Sequence, residues 1–368
     1  MQRDCPAPAA DLPPSLWPVL YTLATRAAWP PADVASAERF VETAAREDLL
    51  PLLFAEPTPP AVVAVALEQR RALERVGERR AAIVRDAAGR LATTLAGEPF
   101  ILLKGADYAW RLYGRPELRP MRDLDILVPA ERLDAAAARI LAAGYPQQFP
   151  AGPIARTRRY NERVFDLGAI RLDMHQAFLP PVRLRVDYRE VWERRVPFDG
   201  PCRAFRLSDV DALVHHAVAM AKDEFAVPLV RFVDLWLLLR AAPELLEPAV
   251  QRALEWRARR PLYSALVTAR RLLPELEDLV ADRRLERLLG SRARAFLDRR
   301  VLPPSNNWPG NVRLLRSTQL WRKFWLIDSL ARRAGFLLYH AGALLEGLWI
   351  SRAARRAQAR TPGSAPGT

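Results

Sequence analysis

Three aspartates carry the most pointed chemistry in this chain. Asp123 and Asp125 lie two apart in RDLDILVP (122–129), an apolar run that reads as a strand closed by Pro129. Strand alternation sends both carboxylates out from the same face. Two like charges side by side on such a strand repel each other and cost stability unless a cation compensates. A divalent metal is the natural cation, and an all-oxygen ligand set favours a hard ion such as Mg²⁺, or Mn²⁺ in its place, which keeps waters and bridges to phosphates. Asp173, in RLDMH, sits on a second expected strand. Laid beside the first, that strand brings a third carboxylate to the pair, enough for the two metal positions of a phosphoryl-type transfer, with Asp173 as base or second-metal ligand.

The elements that must position these residues can be read around them. PFILLK (99–104) is a short apolar run ending at Gly105, the pattern of a buried strand entering a turn. ADYAWRLYG then reads as a short helix stopped by Gly114, and ERLDAAAARILAAG as a helix ending at Gly144. RVFDLG and AIRLDMHQAF read as two strands around a turn at Gly168. Together they predict an α/β core over 98–205, a small mixed sheet with helices. The residues on either side, 1–97 and 206–356, show amphipathic spacing with arginine and glutamate between apolar positions. The expected class is α+β, a core flanked by N-terminal and C-terminal helical regions, with 357–368 a disordered Pro/Gly/Ser-rich tail.

Composition narrows the setting. The 368 residues, half of them apolar, carry a formal charge of +14 from 56 basic and 42 acidic residues, a balance that attracts phosphate-bearing partners. Arginine dominates so strongly that lysine occurs only at Lys104, Lys222 and Lys323, which singles those three out. Two cysteines, Cys5 and Cys202, make neither a disulfide framework nor a Cys-rich zinc site. MQRDCPAPAADLPPS does not read as a secretory signal, and no run offers the roughly 20 apolar residues of a spanning helix. A cytoplasmic protein is the expectation. No motif interleaves aromatic and basic residues, so nucleic acid is not the favoured partner. The apolar segment 324–356, flanked by arginines, reads as a helix packed on the domain or on a partner copy, with peripheral membrane contact as the alternative.

Other polar residues have ordinary readings beside functional ones. His175 shares a face with Asp173 and could orient it, touch substrate, or serve as a hydrogen-bonded structural histidine. His215 and His216 are adjacent in an apolar helix, which does not give metal-ligand spacing, so at least one belongs to the core. Arg231 and Asp234 sit at i, i+3, where a local ion pair is the default and support of a cleft the alternative. Lys222 and Asp223 carry a similar alternative.

LLKGADYAWRLYG, RDLDILVP and RLDMHQAF, taken in order, resemble the uncharacterised bacterial nucleotidyltransferase family of the DNA polymerase β-like superfamily. Its members show a strand ending in Lys-Gly, an arginine-led Asp-x-Asp strand and a later Asp followed by His. The likeness covers 98–178 well and the surrounding helices loosely, including VRFVDLWLLL. It implies Asp123 and Asp125 as metal ligands with Asp173 as the third carboxylate, and transfer of a nucleoside monophosphate from an NTP co-substrate to a hydroxyl acceptor, releasing pyrophosphate. Where the wider superfamily has Gly-Ser or Gly-Gly, this chain has Lys104-Gly105, and 17 residues separate Gly105 from Asp123. By position Lys104 supplies a cation to the phosphates, with Gly105 beside it and Arg119 or Arg122 in a similar role. A non-catalytic descendant that binds nucleotide, RNA or a protein partner is the competing expectation.

Overall fold

The computed structural model describes residues 16–25, 27, 30–55, 70–148, 162–180, 182–302 and 316–360. Seven strands are found among them: β1 (Ile101–Leu102), β2 (Asp123–Leu127), β3 (Gln147–Gln148), β4 (Glu162–Asp166), β5 (Arg171–His175), β6 (Val196–Pro197) and β7 (Phe205–Arg206). They form one mixed sheet in the order β3-β4-β5-β2-β1-β7-β6. β2 and β5 run parallel at its centre with Asp125 opposite Asp173, while β4 lies antiparallel to β5 with Glu162 opposite His175.

Period-two alternation divides the side chains between two cores. On one face Leu102, Leu124, Ile126, Leu172 and Met174 pack against the helices Arg70–Thr94 and Leu133–Ala142. On the other, Ile101, Leu103 and Leu127 join a larger core that takes in the N-terminal helix Val34–Arg46 and the C-terminal helices Asp209–Lys222, Val230–Ala241, Leu246–Glu255 and Arg259–Leu272. This second core therefore draws on chain both before and after the α/β segment. Val230–Ala241 is buried on all sides, as a helix apolar around its circumference must be.

The α+β class expected from sequence is the one observed. β3, β6 and β7 were not expected, and two-residue strands carry no periodicity from which to read them. The strand around PFILLK contracts to Ile101–Leu102 because Lys104 turns out of the sheet. The amphipathic spacing expected over 1–97 includes a long helix, Arg70–Thr94, and residues 56–69 before it lie outside the described ones. Segment 324–356 is not one helix: it breaks between Trp325 and Leu330. There the buried Asp328 accepts hydrogen bonds at 2.9 Å from the backbone amides of both Arg259 and Arg260, which capping the Arg259–Leu272 helix requires. The last helix runs Leu330–Arg360, so 357–360 are helical where a tail was expected, and 361–368 lie outside the described residues. Among the described residues no helix is long and apolar enough to cross a membrane.

Candidate active site

The site is a row of charges on the sheet face covered by the C-terminal helices. β2 presents Asp123 and Asp125 there, and the parallel register sets Arg171, Asp173 and His175 of β5 alongside. β4 adds Glu162 at the end of the row. The three aspartates singled out from sequence are thus brought together by one register, as neighbours on adjacent central strands.

Lys104 enters from the other side. β1 pairs antiparallel with β2, and the Leu103 amide donates to the Asp125 carbonyl at 3.0 Å. Lys104 then adopts φ 48° and ψ −119°, a region that a residue with a Cβ rarely occupies and that persists only where surroundings over-determine it. What holds it is electrostatic: its ammonium stands 3.2 Å from Asp125 Oδ1. Gly105 follows at the start of the helix Gly105–Arg111, where a Cβ would come within 3.3 Å of Met121 Cγ, so a residue with no side chain lets this turn close on the segment that leads into β2.

The hydrogen-bond pattern revises the expectation for His175. It does not orient Asp173; its Nε2 lies 3.0 Å from Asp125 Oδ1 and its Nδ1 3.1 Å from Glu162 Oε2. A carboxylate facing each ring nitrogen favours an imidazolium, although Nδ1 is not aligned for donation to Glu162. Burial works against that charge, but the Asp125 and Glu162 carboxylates outweigh it and raise the His175 pKa. Burial likewise opposes ionisation of Asp125, yet Lys104 and His175 hold it well below the usual carboxylate range.

Asp173 behaves differently. Burial, followed by the negative charge of Asp125, pushes its pKa up, with Arg171 offsetting only part. The Arg171 guanidinium spans the row, 3.2 Å from Asp123 Oδ2 and 2.8 Å from Asp173 Oδ1. Arg171 Nη2 donates to Asp173 Oδ2 at 2.9 Å, but the Nε–Oδ1 contact is not aligned for donation, and the buried Oδ1 has no hydrogen-bond partner among the described residues. The aspartates are therefore ordered but not closed into a cage, and among the described residues no three metal-ligating side chains converge. Four carboxylates (Asp123, Asp125, Asp173, Glu162) are contacted by four cations (Lys104, Arg171, His175 and, 3.8 Å from Glu162, Lys222). The all-oxygen donor set of the three aspartates, with its unpartnered Asp173 Oδ1, fits a hard divalent ion in the place of Arg171. Arg171, half-exposed, can withdraw from it into solvent.

The remaining candidates fall elsewhere. Arg122 is exposed and pairs with Asp48 at 2.9 Å, outside the carboxylate row. Arg119 is buried and bound through two nitrogens to Asp234 at 2.8 and 2.7 Å, so it is not a free cation for phosphate. The expected local pair between Arg231 and Asp234 is replaced by this long-range one, to which the Tyr113 hydroxyl adds a bond at 2.8 Å. Asp234 thereby fixes the segment between Lys104-Gly105 and β2. His216 is a core residue, donating to the Arg231 carbonyl at 2.8 Å when neutral; burial and then Arg231 lower its pKa to about 3. His215 was missed as a neighbour of the site. Its ring stacks on Phe178 with centroids 4.4 Å apart, and burial, then the Lys104 charge, keeps it neutral. Only tertiary packing brings this helix face over the sheet.

Two cavities lie near this arrangement. One of about 190 Å³ is lined by Asp48, Arg80 and Met121 and includes none of the carboxylate row. The other, about 230 Å³, includes Glu162, Arg183 and Lys222 and so adjoins the row through the Glu162–His175 contact. A family model described as uncharacterised nucleotidyltransferase matches residues 33–274, two-thirds of the chain and every residue of the carboxylate row. The chain belongs to this uncharacterised nucleotidyltransferase family. A search among curated proteins found no match. Family membership agrees with the mixed sheet carrying Asp-x-Asp on a central strand, and the match extends through Asp234 and its helix.

Proposed function

We propose that this nucleotidyltransferase-family protein moves a nucleoside monophosphate from an NTP to a hydroxyl acceptor. The observation that carries the reading is the in-register row Asp123, Asp125 and Asp173, bridged by a half-exposed Arg171 and with the buried Asp173 Oδ1 lacking a hydrogen-bond partner among the described residues. Asp123, Asp125 and Asp173 would hold Mg²⁺ or Mn²⁺, which supplies neutralisation of triphosphate charge when bound.

The chain's own residues do the rest. Asp173, with its raised pKa, is the carboxylate best matched to take a proton from the acceptor hydroxyl. The hydroxyl oxygen bonds to the α-phosphorus as the bond to the bridging oxygen breaks, and pyrophosphate leaves with that electron pair. His175 anchors Asp125 against Glu162, fixing the carboxylate's orientation. Lys104 places a positive charge beside the same carboxylate, within reach of phosphates that bind there.

The second reading is a nucleotidyltransferase-fold protein that binds nucleotide, RNA or a protein partner without turnover. Its support is Arg171, which bridges Asp123 and Asp173 where a cation would stand. Calorimetry with the four NTPs, with and without Mg²⁺, separates the two. Metal-dependent binding of an NTP, lost in the Asp123→Asn, Asp125→Asn double variant, is expected. Binding that ignores both the metal and the substitutions would hand the case to the second reading.

A further inference from the structure

The cavity beside Glu162 is lined by three cations, Arg183, Lys222 and Lys323, against one carboxylate. Two of those cations are the chain's only lysines besides Lys104, in a protein where arginine is otherwise the rule. Lys222 stands 3.8 Å from Glu162 and Lys323 3.0 Å from the buried Glu224. Arg183 differs from both. It is 7 % exposed, its guanidinium lies 5.8 Å from the centre of the Phe336 ring, and among the described residues no carboxylate contacts it. A buried cation without a contacting anion is costly, and burial lowers its pKa to about 10, with Glu224 and Asp223 countering only from a distance. Strain gathers at the same place: Glu224 and Phe225, two and three residues after Lys222, both hold positive φ, 51° and 63°. Consecutive residues in that conformation persist where the surroundings demand them.

We propose that this cavity is an anion subsite that seats a phosphate group of the acceptor, with Arg183 as its central ligand. With Lys222 paired to Glu162, Lys323 to Glu224, and His340 neutral because burial lowers its pKa, Arg183 is the uncompensated charge of the lining, and a phosphate oxygen supplies its counter-charge. Position separates this subsite from the triphosphate. Lys104 stands on one side of Asp125, whereas the cavity is reached through His175 and Glu162 on the other. Its walls come from two sources. Glu162, Arg183 and Lys222 lie in the family-matched region, while Lys323, Phe336 and His340 come from chain beyond residue 274. The part of the acceptor that fills the cavity is thus selected by residues this chain adds to the shared core. The acceptor assignment rests on the proposed nucleotidyl transfer; the anion subsite does not.

Titration of the full chain with inorganic phosphate in the presence of a chelator tests the subsite without the metal. Binding is expected in the wild type and in Asp123→Asn, and is expected to fall at least tenfold in Arg183→Met. Lys323→Met, which removes a less buried cation, serves as a second variant should Arg183→Met fail to fold. Absence of phosphate binding, or binding untouched by the cavity substitutions, overturns the subsite. A parallel titration with Mg²⁺ and an NTP tests the assignment to the acceptor. Unchanged NTP affinity in the cavity variants supports it, and a tenfold loss would mean that the cavity holds the NTP's own phosphates. A wild type that binds phosphate but no NTP leaves the subsite standing and removes the transfer reading, so the two failures are distinct.

Discussion

Two clusters of buried charge are linked by the segment 105–122, which supplies Tyr113 and Arg119 to one and connects Lys104 to Asp123 in the other, and they are built to opposite rules. Around Asp234 every demand is met: one carboxylate takes a two-pronged guanidinium from Arg119 and a hydroxyl from Tyr113, at 0 % exposure. Asp211, also at 0 % exposure, likewise takes two guanidinium groups, from Arg194 and Arg252, although one Arg194 nitrogen there has no hydrogen-bond partner among the described residues. Along β2 and β5 demands are left open, with a half-exposed Arg171 bridging two carboxylates, a backbone outlier at Lys104 and one Asp173 oxygen without a hydrogen-bond partner among the described residues. Satisfied polar groups specify a fold; unsatisfied ones, held in place by the satisfied ones, are where a ligand finds its interaction energy.

The sharpest way to break that contrast is to remove one carboxylate from each cluster. Asp234→Ala strands Arg119 as an uncompensated buried charge and is expected to cost about 3–5 kcal/mol in urea unfolding. Asp123→Asn, at the more exposed end of the row, is expected to change stability by less than about 0.5 kcal/mol. Comparable losses in the two variants would mean that the row is as structural as the Asp234 node.

Acid and alkali probe the same contrast through the histidines. His215 and His216 titrate far below their unfolded value near 6.5, so between that pH and their folded values the unfolded chain binds more protons. Their contribution is complete above pH 6.5 and is lost as pH falls, at roughly 1 kcal/mol per pH unit for each. His175 has the opposite sign. Its folded pKa is raised, so its contribution is present below 6.5 and is lost as pH rises through the folded value. Unfolding of metal-free protein followed across pH is expected to show both limbs, His216→Gln flattening the acidic one and His175→Gln the alkaline one. A pH-independent stability would contradict both assignments.

Much of the row was legible in the chain. Apolar runs marked β2 and β5, and alternation placed Asp123 with Asp125 and Asp173 with His175, because those properties are local. What the row touches was not. Arg119 meets Asp234 from 115 positions away, and the local spacing pointed instead to Arg231. His175 turns to Asp125 and Glu162 because β2 and β4 flank β5, a fact about strand order that no short window contains. His215 looked like core because it is core; only the packing of its helix on the sheet puts it beside Lys104.

Lys104 offers the finest test, since its two abnormalities can be separated. Its backbone lies at φ 48° and its ammonium pairs with Asp125. Lys104→Ala removes the pair and keeps the Cβ that disfavours the conformation, whereas Lys104→Gly removes both. Strain at a single such position is worth about 1 kcal/mol or somewhat more, and glycine gives back part of that gain through its freer unfolded chain. The glycine variant is therefore expected to be more stable than the alanine variant by roughly 0.5 kcal/mol in urea unfolding, while both lose the NTP affinity that the ammonium supports. Equal stabilities would mean that the backbone is at ease there and that Lys104 is held by its side chain alone. Restored NTP binding in the glycine variant would mean that the turn, and not the ammonium, is what the phosphates meet.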